Sequence, residues 1–366
     1  MLLSDRVMQM RPSGVRKIFD LAQKVKNPIN LSIGEPDFDI PDVVKDEGIK
    51  WIQKGFNKYT PSGGIPELRE KVLGHLREKG IICEDAIITA GVTGGLLLAL
   101  MTTLNPGDEV IIPDPYFVLY EYQVLLLGGR PVFFDTYPDF TIREERLRQA
   151  ITDRTRIILV NSPNNPTGMV NSREELEMVA RVAREKDLLV FSDDIYDRFV
   201  FDEDEGEKPY LGRMYEKTLT FGGFSKTWGM TGWRLGYVAG PSEVIQCMIT
   251  MQQYAFSSVT SFAQKAALAA LDHDMGDMIA GYRKKRDLIY NGLKDKYNVV
   301  KPKGAFFIFP EVPGGDAMAF VERALQNNLF IIPGSVFSAR DTHVRISFAA
   351  TEENLMKGID VLRKMV

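Results

Sequence analysis

Cysteine is nearly missing from this chain: Cys83 and Cys247 are the only two in 366 residues. That excludes a disulfide-held scaffold and fits a reducing compartment, the cytoplasm. Histidine is equally sparse, and His75, His273 and His343 lie without metal-ligand spacing, so no metal centre is expected. Charge of one sign is also lacking. The formal net charge is −4 and no basic block occurs, which argues against nucleic-acid and anionic-membrane surfaces. The longest apolar run, around residues 96–104, is far short of a membrane span, and the first residues carry charge where a signal peptide needs an apolar core. A soluble protein acting on small molecules is the expectation.

What is present is an ordinary globular composition, 45% apolar and 26% charged, long enough for two domains and a cleft between them. Residues 1–30 read as an arm with one short helix starting at Pro12 and Ser13, striped by Val15, Ile18, Phe19 and Leu21. A short strand is expected at the start of residues 31–38, broken at Gly34, and a helix over 42–55. A glycine-rich loop carrying Tyr59 then leads to a helix with Pro66 in its first turn. From residue 86, strand and helix alternate, which predicts a mostly parallel sheet of about seven strands covered on both faces. The strands expected are 87–89, 109–112, 130–134, 156–160, 188–192, the run from Thr218 and the run after Arg234. Residues 202–207 read as a solvated acidic loop. Helices are expected at 244–251, at 261–271 and through Met278, Ile279, Tyr282 and Ile289, the last bridging two domains. Beyond about residue 300, strands at 304–309, 330–332 and 343–348 with a helix near 316–327 suggest a smaller α+β domain. The boundaries follow as 1–44 for the arm and part of the small domain, 45–275 for the large domain and 276–366 for the interdomain helix and small domain.

Several residues stand where chemistry is possible. Lys226 sits among glycines, hydroxyls and aromatics, an apolar setting that favours a neutral amine able to attack a carbonyl, although a lone lysine there also fits one snorkelling from a core strand. Gly91-Val-Thr-Gly94 opens a helix and offers an anion site at Val92 and Thr93, or an ordinary tight turn. Phe117, just past a strand end, can stack on a flat ring or pack in the core. Asn165 lies in a rigid loop after a strand, Asp193 at the end of a buried strand where it needs a partner, with Tyr196 close behind. Arg345 interrupts an apolar strand, so it either reaches solvent or holds a carboxylate. Pyridoxal phosphate would use this set together: a lysine for its aldehyde, Thr93 and Arg234 for its phosphate, Asp193 for its ring nitrogen, and Asn165 and Tyr196 for its ring oxygen.

The full length resembles fold-type I pyridoxal-phosphate enzymes of the class I/II aminotransferase family. The resemblance rests on Gly34-Glu-Pro-Asp-Phe38, residues 59–69, Gly91-Val-Thr-Gly94, Asn165-Pro-Thr-Gly168, Asp193 with Tyr196, Ser225-Lys-Thr-Trp-Gly-Met-Thr-Gly-Trp-Arg-Leu-Gly236 and Val344-Arg-Ile-Ser347. It implies that Lys226 holds the cofactor and moves the substrate proton. It implies that Arg345, with Asn165 and the Gly34 backbone, takes the substrate carboxylate and that Phe117 stacks on the ring. It implies too that Tyr59 reaches the neighbouring subunit's phosphate in a homodimer. The reaction implied is amino transfer between an amino acid, aspartate first, and a 2-oxoacid, 2-oxoglutarate, with ping-pong kinetics. Aromatic or alanine donors and a carbon–sulfur β-lyase share these motifs. A regulator carrying the same fold would need a DNA-binding domain, for which no room is expected before residue 31. One departure is Gly223, where many family members have serine three residues before the lysine; Ser225 is the expected substitute for that phosphate contact.

Overall fold

In the computed structural model, which describes residues 2–12, 14–201 and 208–366, the alternating apolar runs form one large sheet. After β1 (Ile29–Asn30) its strands are β2 (Asp85–Thr89), β3 (Glu109–Asp114), β4 (Arg130–Asp135), β5 (Thr155–Asn161), β6 (Leu189–Asp193), β7 (Thr218–Gly223) and β8 (Gly236–Gly240). They lie in the order β2-β8-β7-β6-β5-β3-β4, all parallel except β8, which runs against both β2 and β7. The runs in β3, β5 and β6 are largely apolar because both faces are covered there. Ile157, Leu159 and Phe191 pack on one side with the helix Gly91–Thr103, whereas Ile158, Val160 and Val190 pack on the other with Arg173–Glu185. Register then sets the site: Asn161 stands beside Asp193, and Asp193 beside Phe221, so three parallel strands end together at one edge. A ligand crevice belongs outside these carboxyl ends.

The last third has its own strands, β9 (Phe307–Ile308), β10 (Leu329–Phe330), β11 (Ile332–Pro333) and β12 (Val344–Ser347). β11, β12 and β9 form an antiparallel sheet, and β10 pairs in parallel with β1 from the other end of the chain. Their core gathers Phe306, Phe307, Phe309, Phe320 and Phe337 under the helices Gly276–Leu293 and Glu352–Lys364.

Several expectations need correction. The strand expected at the head of residues 31–38 lies two residues earlier, at Ile29–Asn30, because that is where the ladder to β10 runs; Leu31 adds one more bond to Phe330 and the rest is loop. The arm holds two helices, Asp5–Gln9 and Gly14–Ala22, rather than one. Only Phe307 and Ile308 of the 304–309 run are strand, and the 330–332 run is divided between β10 and β11. The 244–251 helix extends over Ser242–Ala255. The helix Glu352–Lys364 escaped the sequence reading, although Thr351 caps it by accepting the Asn354 N–H and two glutamates follow in its first turn. Ser13, the Phe19 side chain and residues 202–207 lie outside the described residues.

Candidate active site

β7 ends in Gly222 and Gly223, and the chain turns through Phe224 and Ser225 to send the Lys226 side chain into a cavity of about 270 Å³. Its Nζ donates to the Gly34 carbonyl at 2.7 Å. Burial pushes the ammonium down to about 8, with Arg234 and Arg345 adding repulsion and Glu35 opposing both. Opposite, Asp193 closes β6 with a carboxylate that is almost fully buried. The Tyr120 hydroxyl donates to its Oδ2 at 2.7 Å and the Ile195 N–H to its Oδ1 at 3.1 Å. Burial still raises the carboxyl to about 6, because these donors offset only part of the desolvation.

One end of the cavity is made by two segments far apart in sequence. The helix Gly91–Thr103 begins at Gly91, whose φ of 70° suits glycine. A Cβ there would stand 2.7 Å from Nη2 of Arg234. Arg234 itself has a left-handed φ of 54°, an uncommon conformation for arginine, and donates Nη1 to the Thr231 carbonyl at 2.9 Å. Val92, Thr93 and Ser225 line the same end. A Cβ on Gly223 would meet Gly236 Cα and Ile195 Cδ1 at 3.2 Å, so a side chain there needs its neighbours to give by a few tenths of an ångström.

Arg345 does not reach solvent. It is 1% exposed on β12, sandwiched between the rings of Phe307 and Phe337 at 4.6 and 4.7 Å. Nη1 donates to Asn165 Oδ1 at 3.0 Å and Nη2 to the Ser32 carbonyl at 2.7 Å, whereas Nε has no partner. An orphan donor on a buried guanidinium is costly unless a ligand completes it. Asn165 also faces the Tyr196 hydroxyl, and Asn161 braces both neighbours by accepting the Asn165 N–H and donating to the Asp193 carbonyl, each at 2.9 Å.

Gly34, Val92, Thr93, Phe117, Asn165, Asp193, Tyr196, Ser225, Lys226, Arg234 and Arg345 therefore meet around one cavity. Tyr59 does not; it stands 89% exposed on its loop and takes no part in lining this chain's own cavity. Sequence reasoning missed Tyr120 and Asn161. The first follows Phe117 by three residues, a helical spacing that turns it toward β6, and the second is the last residue of β5, level with Asp193. Thr231, paired with Glu35, was also passed over. A second cavity of about 520 Å³ opens beside the first and shares Val15, Gly34, Phe117, Leu119, Lys226 and Thr231; Met10, Arg11 and Arg16 of the arm line its outer wall.

A pyridoxal phosphate fits these residues. The Gly91 cradle against Arg234, a lysine whose ammonium is pushed down to about 8 and a buried carboxylate are each provisions for a phosphate-bearing ring, and the partnerless Arg345 Nε is a donor left for a second anion. Comparison with known proteins agrees. The family profile described as Aminotransferase class I and II matches residues 26–362. Aromatic-amino-acid aminotransferase 2 of Thermococcus litoralis is 39% identical, covering 100% of this chain and 98% of its own. The aspartate/prephenate aminotransferase of Thermus thermophilus is 38% identical over 98% of this chain and 97% of its own. A solved structure of a single mutant of Thermus thermophilus aspartate aminotransferase superposes with a TM-score of 0.95 at 37% identity, covering all of both chains. The chain belongs to the class I and II aminotransferases and is a pyridoxal-phosphate-dependent enzyme of that family.

Proposed function

We propose that this aminotransferase moves the amino group of aspartate to 2-oxoglutarate in a ping-pong cycle, as a homodimer in the cytoplasm. In this reading residues 1–44 and 276–366 form a smaller domain against a cofactor-binding domain of residues 45–275. The outer cavity carries the substrate assignment, because Arg11 and Arg16 of the arm, the latter also paired with Asp20 at 3.0 Å, line it together with Glu35 at the opening above Lys226. A distal carboxylate on the donor meets positive charge there. Two of the three relatives named above carry aspartate in their names and support the same choice, whereas the third carries the aromatic amino acids.

The bound pyridoxal ring supplies a sink for the electrons left when the Cα–H bond of the substrate breaks. Lys226 holds the cofactor and, once released, carries the proton away from Cα; with its ammonium near 8, a large fraction is free amine at mildly alkaline pH. Asp193, held by Tyr120 and Ile195, keeps a proton on the ring nitrogen. Val92, Thr93, Ser225 and Arg234 take the phosphate and Phe117 covers one ring face. Asn165 and Tyr196 meet the ring oxygen. Arg345 grips the α-carboxylate, aided by Asn165 and the Gly34 backbone. Tyr59 reaches the phosphate in the partner subunit, a role supported by its 89% exposure, with Tyr254 at 85% another large aromatic left uncovered.

The apolar part of the outer cavity, with Met10, Val15, Phe117, Val118, Leu119 and Tyr122, favours a second class of donor, the aromatic amino acids. Single-turnover conversion of the yellow enzyme by individual amino acids separates the two. Aspartate reacts faster than phenylalanine, and Arg11→Ala/Arg16→Ala slows aspartate about tenfold while sparing phenylalanine. Equal loss for both donors overturns the role of the arm.

A further inference from the structure

The strand that delivers Asp193 delivers a second carboxylate beside it. Asp194 takes Lys208 Nζ on Oδ1 at 2.8 Å and Ser192 Oγ on Oδ2 at 3.0 Å; the side chains of the ion pair are 4% and 6% exposed. Three residues on, Asp197 pairs with Lys79, at the end of the helix Pro66–Glu78, and this pair is also largely buried. The Asp197 N–H closes the turn onto the Asp194 carbonyl at 2.9 Å. Ile195 and Tyr196, which line the cavity, thus lie between two carboxylates, each held by a lysine from another part of the chain. The Tyr210 ring packs against both ammonium groups, 3.8 Å from Lys208 and 5.5 Å from Lys79.

Neither lysine lines the cavity. Buried ion pairs add little stability over apolar packing, so two of them in one place ask for another reason. Their position gives one. Burial raises the Asp194 carboxyl even with Lys208 in place; at pH values where it is ionised, loss of Lys208 leaves its negative charge uncancelled next to Asp193, and neighbouring buried carboxylates raise each other's proton affinity. The remaining ionisable groups facing the cluster do not cancel that charge by titrating. Burial pushes His75 down to about 4 and holds Tyr210 and Tyr237 well above their usual range; the guanidiniums of Arg198 and Arg213 also lie near the cluster, the latter 5.2 Å from the Tyr210 ring.

We propose that Lys208, backed by Lys79, is a positioning residue for the cofactor: it cancels the charge behind β6 so that Asp193 alone presents a negative charge to the ring nitrogen, and it clamps the turn that carries Tyr196. The proposal rests on the assignment of Asp193 to the ring nitrogen. The test uses the holoenzyme and four variants, Lys208→Met, Asp194→Asn, their combination and Asp193→Asn. Three quantities are read: the pH midpoint of the visible absorption of the bound cofactor, its dissociation constant and the melting temperature. An uncancelled negative charge raises the proton affinity of nearby groups, so Lys208→Met moves the midpoint up by about one pH unit and Asp194→Asn moves it down by a similar amount. The combination returns it to within a few tenths of the parent. A purely structural role lowers both melting temperatures and leaves the midpoint in place, or moves it the same way in both single variants; either result overturns the proposal. Should Lys208→Met fail to fold, Asp194→Asn and the combination decide on the same terms. If Asp193→Asn leaves the dissociation constant unchanged, the assignment of Asp193 has failed. If it weakens binding but the midpoints do not split, only the role of Lys208 has failed.

Discussion

Replacing Gly91 by alanine separates backbone strain from cofactor chemistry. Its φ of 70° costs an alanine about 1–2 kcal/mol, since the Cβ crowds the following carbonyl. The new Cβ also meets Nη2 of Arg234 at 2.7 Å, closer than such atoms approach. Arg234 is the movable partner, but moving it disturbs the Nη1 bond to the Thr231 carbonyl, whose own side chain is tied to Glu35. The guanidinium is thus expected to leave its place at that end of the cavity. Because Arg234 is exposed, a contact with the cofactor phosphate would be screened, and its displacement should weaken cofactor binding by about tenfold. Titration of apoenzyme with pyridoxal phosphate and thermal melts read the two effects separately. The cycle with Arg234→Ala is decisive. In that background the Cβ has room, so Gly91→Ala should still lower the melting temperature but cost almost nothing further in binding. Equal binding losses in both backgrounds would refute the reasoning.

Two further predictions concern the cavity floor and the substrate grip. Burial raises Asp193 to about 6 from an ordinary 3.8, so between those values the native state holds a proton that the unfolded chain has released, and stability falls as pH rises through the window. Asp193→Asn should therefore stabilise the apoenzyme at pH 7 by up to about 3 kcal/mol, at about 1.4 kcal/mol for each pH unit of that window, while weakening the cofactor; calorimetry at pH 4 should find most of that gain gone. Arg345→Lys keeps a charge but loses the planar fork between Phe307 and Phe337, and should raise KM for every donor roughly 100-fold with the cofactor spectrum unchanged. Loss confined to one donor would argue against a grip on the shared carboxylate.

The large sheet was legible because its inner strands β3, β5 and β6 are mostly buried and read as apolar runs, whereas β7 showed itself by alternating threonine with apolar residues. Their ends were legible too, since polar residues such as Asn161 and Asp193 follow directly. The short strands of the last third were not, because two-residue pairings such as β1 with β10 depend on partners 300 residues away and leave no period in the sequence. Of the site, the residues whose chemistry is unusual for their setting, Lys226, Asp193 and Arg345, stood out. Tyr120 and Asn161 did not, for a tyrosine in a helix and an asparagine before a turn are ordinary until the fold aims them at Asp193. Lys79 and Lys208 were invisible for the same reason: nothing local marks a lysine that will be buried against a carboxylate brought from another segment.

The antiparallel insertion of β8 between β2 and β7 has a consequence for synthesis. The Gly91 turn leaves the ribosome about 140 residues before Arg234, yet the two meet only when β8 docks along β2, with a Cβ on Gly236 standing 2.7 Å from the Gly91 carbonyl carbon. Until then the edge of β2 has no partner and the helix start has no arginine across from it. A growing chain should acquire affinity for the cofactor in one step, as residues 236–240 emerge, rather than gradually with length.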